Sequence, residues 1–222
     1  MSDWERERQA RQLAYQQAAA PLIAALRDAG VDPTDFGRFV NRPVAGVLEP
    51  SHFDQVKALP VLIEWLPRIG NEDVKQSIVR HLKTRAARPV AAQPLLDEFH
   101  SAGDPYYKCA IGDTLAFICD KTHYDQIFEL AADRSHSFGR APLVDMLWRL
   151  KSNQAEELLT NSLDDPDVAR FAMSALRRLI GNAQSRPLIE PLVHHPHEHI
   201  QQAAKDHLRR IDKSLSSTKN QQ

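Results

Sequence analysis

The chain has 222 residues, a formal net charge of -1 and 42% hydrophobic residues, which is ordinary for a globular protein that buries a core. Its pI near 6.8 does not indicate a general affinity for nucleic acid. The first residues lack the basic start and apolar run of a secretory signal, and no stretch has the roughly 18 apolar residues of a membrane helix. We therefore expect a cytoplasmic protein without a membrane-spanning segment.

The N-terminal region, residues 1–50, predicts a helical cap. Residues 3–29 have the spacing of one long helix that ends at Gly30, and its apolar stripe includes Leu22 and Leu26. The stretch VDPTDFGRFV (31–40) predicts a capped short helix. The apolar stripe suits a cap over the helices that follow or, as an alternative, a dimer interface.

Residues 51–213 predict a succession of helices, because prolines and polar clusters separate segments with helical spacing and strand signals are almost absent. In NEDVKQSIVRHLKT (71–84), Asn71 is a plausible N-cap. In DDPDVARFAMSALRRLIG (164–181), Asp165 precedes a proline at the expected helix start, and Gly181 ends the helix. The fold class that these signals predict is all-α.

The predicted helices also repeat along the chain. One leucine recurs with a spacing of roughly 30 residues, the scale of helical repeat proteins. The recurring leucines are Leu82, Leu115, Leu147, Leu176 and Leu208, and the position four residues earlier is apolar in every copy. A shorter apolar helix precedes each of them, so we expect about five helical hairpins over residues 51–213. The tail SLSSTKNQQ (214–222) lacks apolar anchors and is expected to be disordered.

The segment DDPDVARFAMSALRRLIG resembles the second helix of a HEAT repeat. That family has Asp-Pro-x-Val-Arg followed by alanines, an Ala-Leu pair and a glycine stop; here Ala169 stands between Val168 and Arg170. The resemblance extends over about residues 54–213 and implies a right-handed α-solenoid of stacked HEAT-like hairpins. It is informative about fold and much less so about function.

Motifs for catalysis are not found in the sequence. It has no glycine-rich phosphate loop, GxSxG elbow, HExxH or CxxC, and we expect a non-enzyme without cofactor or metal. Cys109 and Cys119 lie ten residues apart in one predicted helix, too far apart for a disulfide. HHPHEHI (194–200) falls between the two helices of the last hairpin, and such a turn alone is a poor tetrahedral metal site. A metal site or a pH-responsive turn there stay as alternatives.

Two enzyme families have related folds. Deoxyhypusine hydroxylase carries several His-Glu pairs, whereas His197-Glu198 is the single such pair here and precedes the position expected from that family. The alkylpurine DNA glycosylases have a strongly basic inner face, and their motif does not align with this chain residue by residue. A nucleic-acid-binding or DNA base-excision protein of HEAT-like fold therefore stays as the alternative function.

The inner face of the predicted solenoid has a distinctive composition. Second helices usually line that face, and helical periodicity directs positions such as Arg177 away from the core stripe. The same offsets in every copy predict a basic stripe with two aromatic residues, beside a stripe that contains three acids. The predicted face comprises Arg80, Lys83, Asp113, Phe117, Asp145, Trp148, Arg149, Arg177, Arg178, Arg209 and Arg210. Because Trp and Arg are enriched at binding hot spots, we expect a non-catalytic scaffold, adaptor or inhibitor that binds a protein partner, such as an acidic helix or peptide.

Overall fold

A computed structural model describes residues 2–37 and 53–219, without the side chains of residue 35 and of residues 217–219. All regular secondary structure in these ranges is helical, which confirms the all-α prediction. The helices are α1 (Asp3–Asp28), α2 (Gln55–Trp65), α3 (Glu72–His81), α4 (Arg88–Ser101), α5 (Pro105–Ile118), α6 (Tyr124–Ala132), α7 (Ala141–Met146), α8 (Asn153–Asn161), α9 (Ala169–Leu179), α10 (Asn182–Ile189) and α11 (Glu198–Lys219). None of these helices is long and apolar enough to cross a membrane.

The chain divides into two compact units. The first comprises the described residues of Met1–Gly103 together with Phe117–Cys119. Within it, α1 packs against α2 and α3. The fully buried side chains of this unit include Leu22, Leu26, Leu62, Ile78, Leu95 and Phe99.

The second unit comprises Asp104–Ala116 and the described residues of Asp120–Gln222. Within it, α7 packs against α9 and α9 packs against α11, while α8 and α10 each contact α9. A 3-10 turn, Leu147–Arg149, continues α7 and also contacts α9. The fully buried side chains include Ile111, Leu143, Leu147, Leu159, Leu176 and Ile211. This unit positions most of the residues expected on the inner face.

Local signals in the sequence set several helix ends. Asn71 is the N-cap of α3, and its side chain accepts a hydrogen bond of 3.1 Å from the Val74 amide. After α9 the chain reverses at Gly181, whose φ of 87° is a conformation that glycine adopts without strain. The prediction that α9 starts just after Asp165 was wrong. The helix begins at Ala169, and the Asp165 side chain is buried instead of capping the helix end from solvent.

The structure of the two chain ends agrees in part with the prediction from the sequence. The long helix predicted over residues 3–29 is α1, and Gly30 follows it with a φ of 73°. The predicted short helix is a 3-10 turn, Pro33–Asp35, capped by Asp32, and residues 38–40 of that stretch lie outside the described residues. At the other end, the sequence predicts a disordered tail over residues 214–222, whereas α11 continues to Lys219. Residues 38–52 of the predicted cap and its boundary, and residues 220–222 of the tail, also lie outside the described part of the chain.

Four of the five recurring leucines are fully buried, and the fifth is not. Leu208 is half-buried, whereas the neighbouring His207 is only 5% exposed. The reason is the helical period: Ile200, Ala204, His207 and Ile211 are spaced by four, three and four residues and lie on one stripe of α11.

Candidate functional site

The residues expected on the inner face all lie away from the buried core. Asp145, Trp148 and Arg177 are half-buried, and the other predicted residues are exposed. This outward placement follows from helical periodicity, because their offsets differ from those of the buried leucines.

Trp148 is the centre of the densest group of these residues. It lies in the 3-10 turn after α7, and its ring is approached by two guanidinium groups. The guanidinium carbon of Arg149 lies 5.8 Å from the ring centroid, and that of Arg178 lies 5.8 Å from it as well. Both distances are within the range of cation–π attraction.

Both arginines are fixed by other contacts. Arg149 donates a hydrogen bond of 2.6 Å to the Ala116 carbonyl, one of the carbonyls in the last turn of α5 that lack a partner within the helix. Arg178 donates one of 3.0 Å to the Asp145 carboxylate on α7. The two guanidinium groups are therefore held beside the Trp148 ring before any ligand arrives. We call Asp145, Trp148, Arg149, Arg177, Arg178 and Arg210 the tryptophan–arginine surface.

A second group adjoins this surface where α9 and α11 meet. Arg177 donates a hydrogen bond of 2.9 Å from Nε to the Asn182 side-chain oxygen, and its Nη1 lies 3.3 Å from Nδ1 of His207. A guanidinium group has no acceptor, so Nδ1 of His207 must accept and the ring is neutral. We call Arg170, Arg177, Arg210 and His207 the histidine–arginine cluster.

The lowered pKa of His207 agrees with a neutral ring. Burial lowers the pKa of His207 to about 4, and the charges of Arg177 and Arg210 add to the effect. Burial also lowers the pKa of Arg177, and the neighbouring Arg210 and Arg178 lower it further. The lowering of both pKa values by neighbouring arginines reflects repulsion between like charges.

The positive charges differ in how they are balanced. Arg178 pairs with Asp145, and Arg209 pairs with Asp206 on its own helix. By contrast, within residues 2–37 and 53–219 no carboxylate lies at ion-pair distance from Arg149, Arg170, Arg177 or Arg210. The tryptophan–arginine surface therefore carries a local positive excess, although the whole chain has a net charge of -1.

The remaining predicted residues lie elsewhere. Arg80, Lys83 and Phe117 belong to the first unit. The Phe117 ring lies 5.8 Å from the guanidinium carbon of Arg88, a partner that the sequence did not suggest. Burial raises the pKa of the Cys109 thiol, and the charge of Asp113 on α5 raises it further.

The histidine-rich turn lies where the sequence placed it, between the 3-10 turn Glu190–His194 and the start of α11 at Glu198. His195 contacts the Asp164 carboxylate at 2.6 Å, and the rings of His197 and His199 lie 5.5 Å apart. In the part of the chain that the structure describes, no three side chains of His, Cys, Asp or Glu are grouped so that they could hold a metal ion.

Sequence reasoning missed His207 and Asn182, which hold Arg177 in place. The signal for His207 was present, because it shares the four-three-four spacing of the apolar residues of α11. The Asn182 contact had no such signal, because it depends on how the chain turns after Gly181.

Comparison of the chain with models of protein families, with curated proteins and with solved structures finds no match. The resemblance to HEAT repeats therefore rests on the sequence pattern quoted above.

Proposed function

We propose that this protein is a non-catalytic interaction protein that binds an acidic helix or peptide of a protein partner at the tryptophan–arginine surface. The observation that carries the proposal is the Trp148 ring with Arg149 and Arg178 fixed beside it. Trp and Arg contribute most to binding where they are pre-positioned, because less side-chain entropy is lost on association. Here the hydrogen bonds to Ala116 and Asp145 supply that positioning.

The mixed charge of the surface favours a protein segment over nucleic acid. Asp145 lies within the surface, and Asp206 lies beside it on α11. A nucleic-acid backbone presents phosphates at regular spacing and favours a continuous basic track, which these carboxylates would interrupt. An acidic helix with a few apolar side chains can instead place its carboxylates on the arginines and an apolar group on Trp148.

We also propose that the helical pairs are HEAT-like hairpins of an α-solenoid, with the second helices on its concave, ligand-binding side. The packing of α7 on α9 and of α9 on α11 within the second unit supports this proposal. Such arrays commonly bind extended segments along the row of second helices.

The experiment is a selection of peptides on the purified protein from a displayed library of random sequences, followed by fluorescence anisotropy of the selected peptides. We expect enrichment of Asp and Glu together with at least one apolar residue. Trp148→Ala should weaken binding by about thirtyfold, the scale of a hot-spot residue. Trp65→Ala is the matched control, because Trp65 is also half-buried and lies 5.8 Å from the guanidinium carbon of Arg68.

Equal effects of Trp148→Ala and Trp65→Ala, or peptides without acidic enrichment, would contradict the proposal. Binding of a DNA and of an RNA oligonucleotide is measured in parallel over a range of salt concentrations. Binding that falls steeply with salt and competes with the peptides would favour the nucleic-acid alternative instead.

A further inference from the structure

The histidine–arginine cluster has more positive charge than the carboxylates around it balance. In the described residues no carboxylate lies at ion-pair distance from Arg170, Arg177 or Arg210. Arg177 contacts the His207 ring at 3.3 Å, and Arg170 lies two turns before Arg177 on α9. Arg210 lies one turn after His207 on α11. All three arginines therefore lie on the helix faces that meet at this ring. Bringing like charges together costs free energy, and a bound anion would remove that cost. The cluster therefore favours the binding of an anionic ligand.

The number of guanidinium groups favours a doubly charged anion. One carboxylate neutralises one positive charge, whereas a phosphate monoester carries about −1.5 to −2 charges at neutral pH and three acceptor oxygens. Arg170 and Arg210 are exposed and Arg177 is half-buried, so all three are within reach of a group that approaches from solvent. His207 is neutral and adds no positive charge of its own.

We propose that Arg170, Arg177 and Arg210 bind a phosphate monoester carried by the acidic segment that the tryptophan–arginine surface recognises. The inference rests on the proposed function, because Arg177 and Arg210 belong to both groups of residues. Arg178 connects the two groups, since it lies beside the Trp148 ring and directly follows Arg177 on α9. A phosphorylated Ser, Thr or Tyr and a neighbouring apolar side chain of one segment would then engage adjacent sites.

Charge balance favours an isolated phosphate over a nucleic-acid backbone. The arginines next to the cluster, Arg178 and Arg209, already have carboxylate partners in Asp145 and Asp206. Outside the cluster, only Arg149 of the tryptophan–arginine surface lacks a carboxylate partner in the described residues, and its guanidinium donates to the Ala116 carbonyl. Most of the unbalanced charge of this surface is thus concentrated in the cluster, whereas a phosphodiester backbone favours positive charge distributed along a track.

The test compares a short acidic peptide of Glu, Asp and Leu that contains one phosphoserine, the same peptide with serine, and inorganic phosphate alone. Binding is followed by anisotropy and by NMR of the arginine Nε–H groups and the His207 ring. We expect the phosphopeptide to bind about tenfold more tightly than the serine peptide, and free phosphate to shift the Arg177 signal with saturation. Arg210→Gln and Arg170→Gln should each remove most of this advantage.

Arg186→Gln is the matched control, because Arg186 is already paired with Asp212 and Glu190 and should leave the advantage intact. The exposed Arg170 and Arg210 are chosen for substitution because Arg177 also holds its neighbours in place. Circular dichroism and urea unfolding of each variant separate a loss of binding from a loss of fold.

Three outcomes would overturn the inference. Equal affinity of the two peptides, with binding still lost in Trp148→Ala, would remove the phosphate site and leave the proposed function standing. Saturable binding of inorganic phosphate without any preference for the phosphopeptide would assign the cluster to a free anion. Tighter binding of a single-stranded DNA oligonucleotide, sensitive to Arg170→Gln and Arg210→Gln, would assign it to nucleic acid.

Discussion

Arg140 and Asp165 form a buried ion pair that joins three elements of the second unit. Arg140 is 1% exposed and lies directly before α7, while Asp165 is 8% exposed and lies in the loop before α9. A second bond of 2.9 Å runs from Arg140 to the Ala131 carbonyl in the last turn of α6. Asp165 also accepts a bond of 3.0 Å from the Asp167 amide, so the carboxylate organises its own loop as well.

We expect Arg140→Ala to destabilise the protein by about 3–5 kcal/mol, because it leaves the Asp165 carboxylate buried without its partner. Urea unfolding followed by circular dichroism measures the change. Arg134→Ala is the control: Arg134 approaches the same carboxylate at 3.8 Å with a side chain that is 68% exposed, and its loss should cost less than about 1 kcal/mol. Similar losses of unfolding free energy in the two variants would show that the buried Arg140–Asp165 pair contributes no more to stability than the exposed Arg134 contact.

Local signals made much of this fold predictable from sequence. Asn71 caps α3 through the backbone amide three residues away, and Gly181 follows the end of α9 because it adopts a positive φ. Neither depends on a distant part of the chain. The apolar spacing likewise placed the outward positions, since Trp148 and Arg178 differ in helical phase from the buried leucines.

The misplaced features depend on contacts between residues far apart in sequence. Asp165 was expected to start a helix, and its partner Arg140 is 25 residues away. Arg149 was expected only to face outward, and its bond to the Ala116 carbonyl spans 33 residues. Such pairs follow from how the helices pack, which no local pattern encodes.

In the first unit, the His81 ring packs against two phenylalanines that also lie near each other. Its centroid lies 5.3 Å from that of Phe36 and 4.3 Å from that of Phe53. We expect Phe53→Ala to cost about 3–5 kcal/mol of unfolding free energy, because it removes a buried ring and leaves a cavity beside His81. Val56→Ala, at a position 66% exposed, should change stability by less than about 0.5 kcal/mol. Urea unfolding checks both, and a small loss in Phe53→Ala would contradict the packing described.

Acid should destabilise the second unit through His207. Burial, with help from Arg177 and Arg210, holds its pKa at about 4, below the 6.5 of an unfolded histidine. Since the unfolded chain binds this proton more readily, the contribution of His207 to stability is complete above about pH 6.5 and declines toward about pH 4. The decline should be on the order of 2 kcal/mol after allowance for solvent screening.

The measurement is urea unfolding of the natural protein and of His207→Gln at about pH 7 and about pH 4. Other groups contribute equally to both proteins, so the comparison isolates the histidine. The variant should lose less stability on acidification than the natural protein does. Parallel losses in the two proteins would mean that His207 titrates normally in the fold.

Gly139 lies so close to α5 that this position should not tolerate a side chain. A Cβ placed there would lie 2.7 Å from the Lys108 Cβ and 3.1 Å from the Pro105 carbonyl oxygen, both on α5. Because neither atom is at the end of a flexible side chain, Gly139→Ala should push α5 away and cost about 1–3 kcal/mol. Gly103→Ala is the control, since nothing lies within 4 Å of its Cβ position. It should be neutral or stabilising by up to about 1 kcal/mol, because alanine restricts the unfolded chain. Thermal and urea unfolding of both variants decide the point, and equal stability of the two would show that the segment around Gly139 shifts without cost.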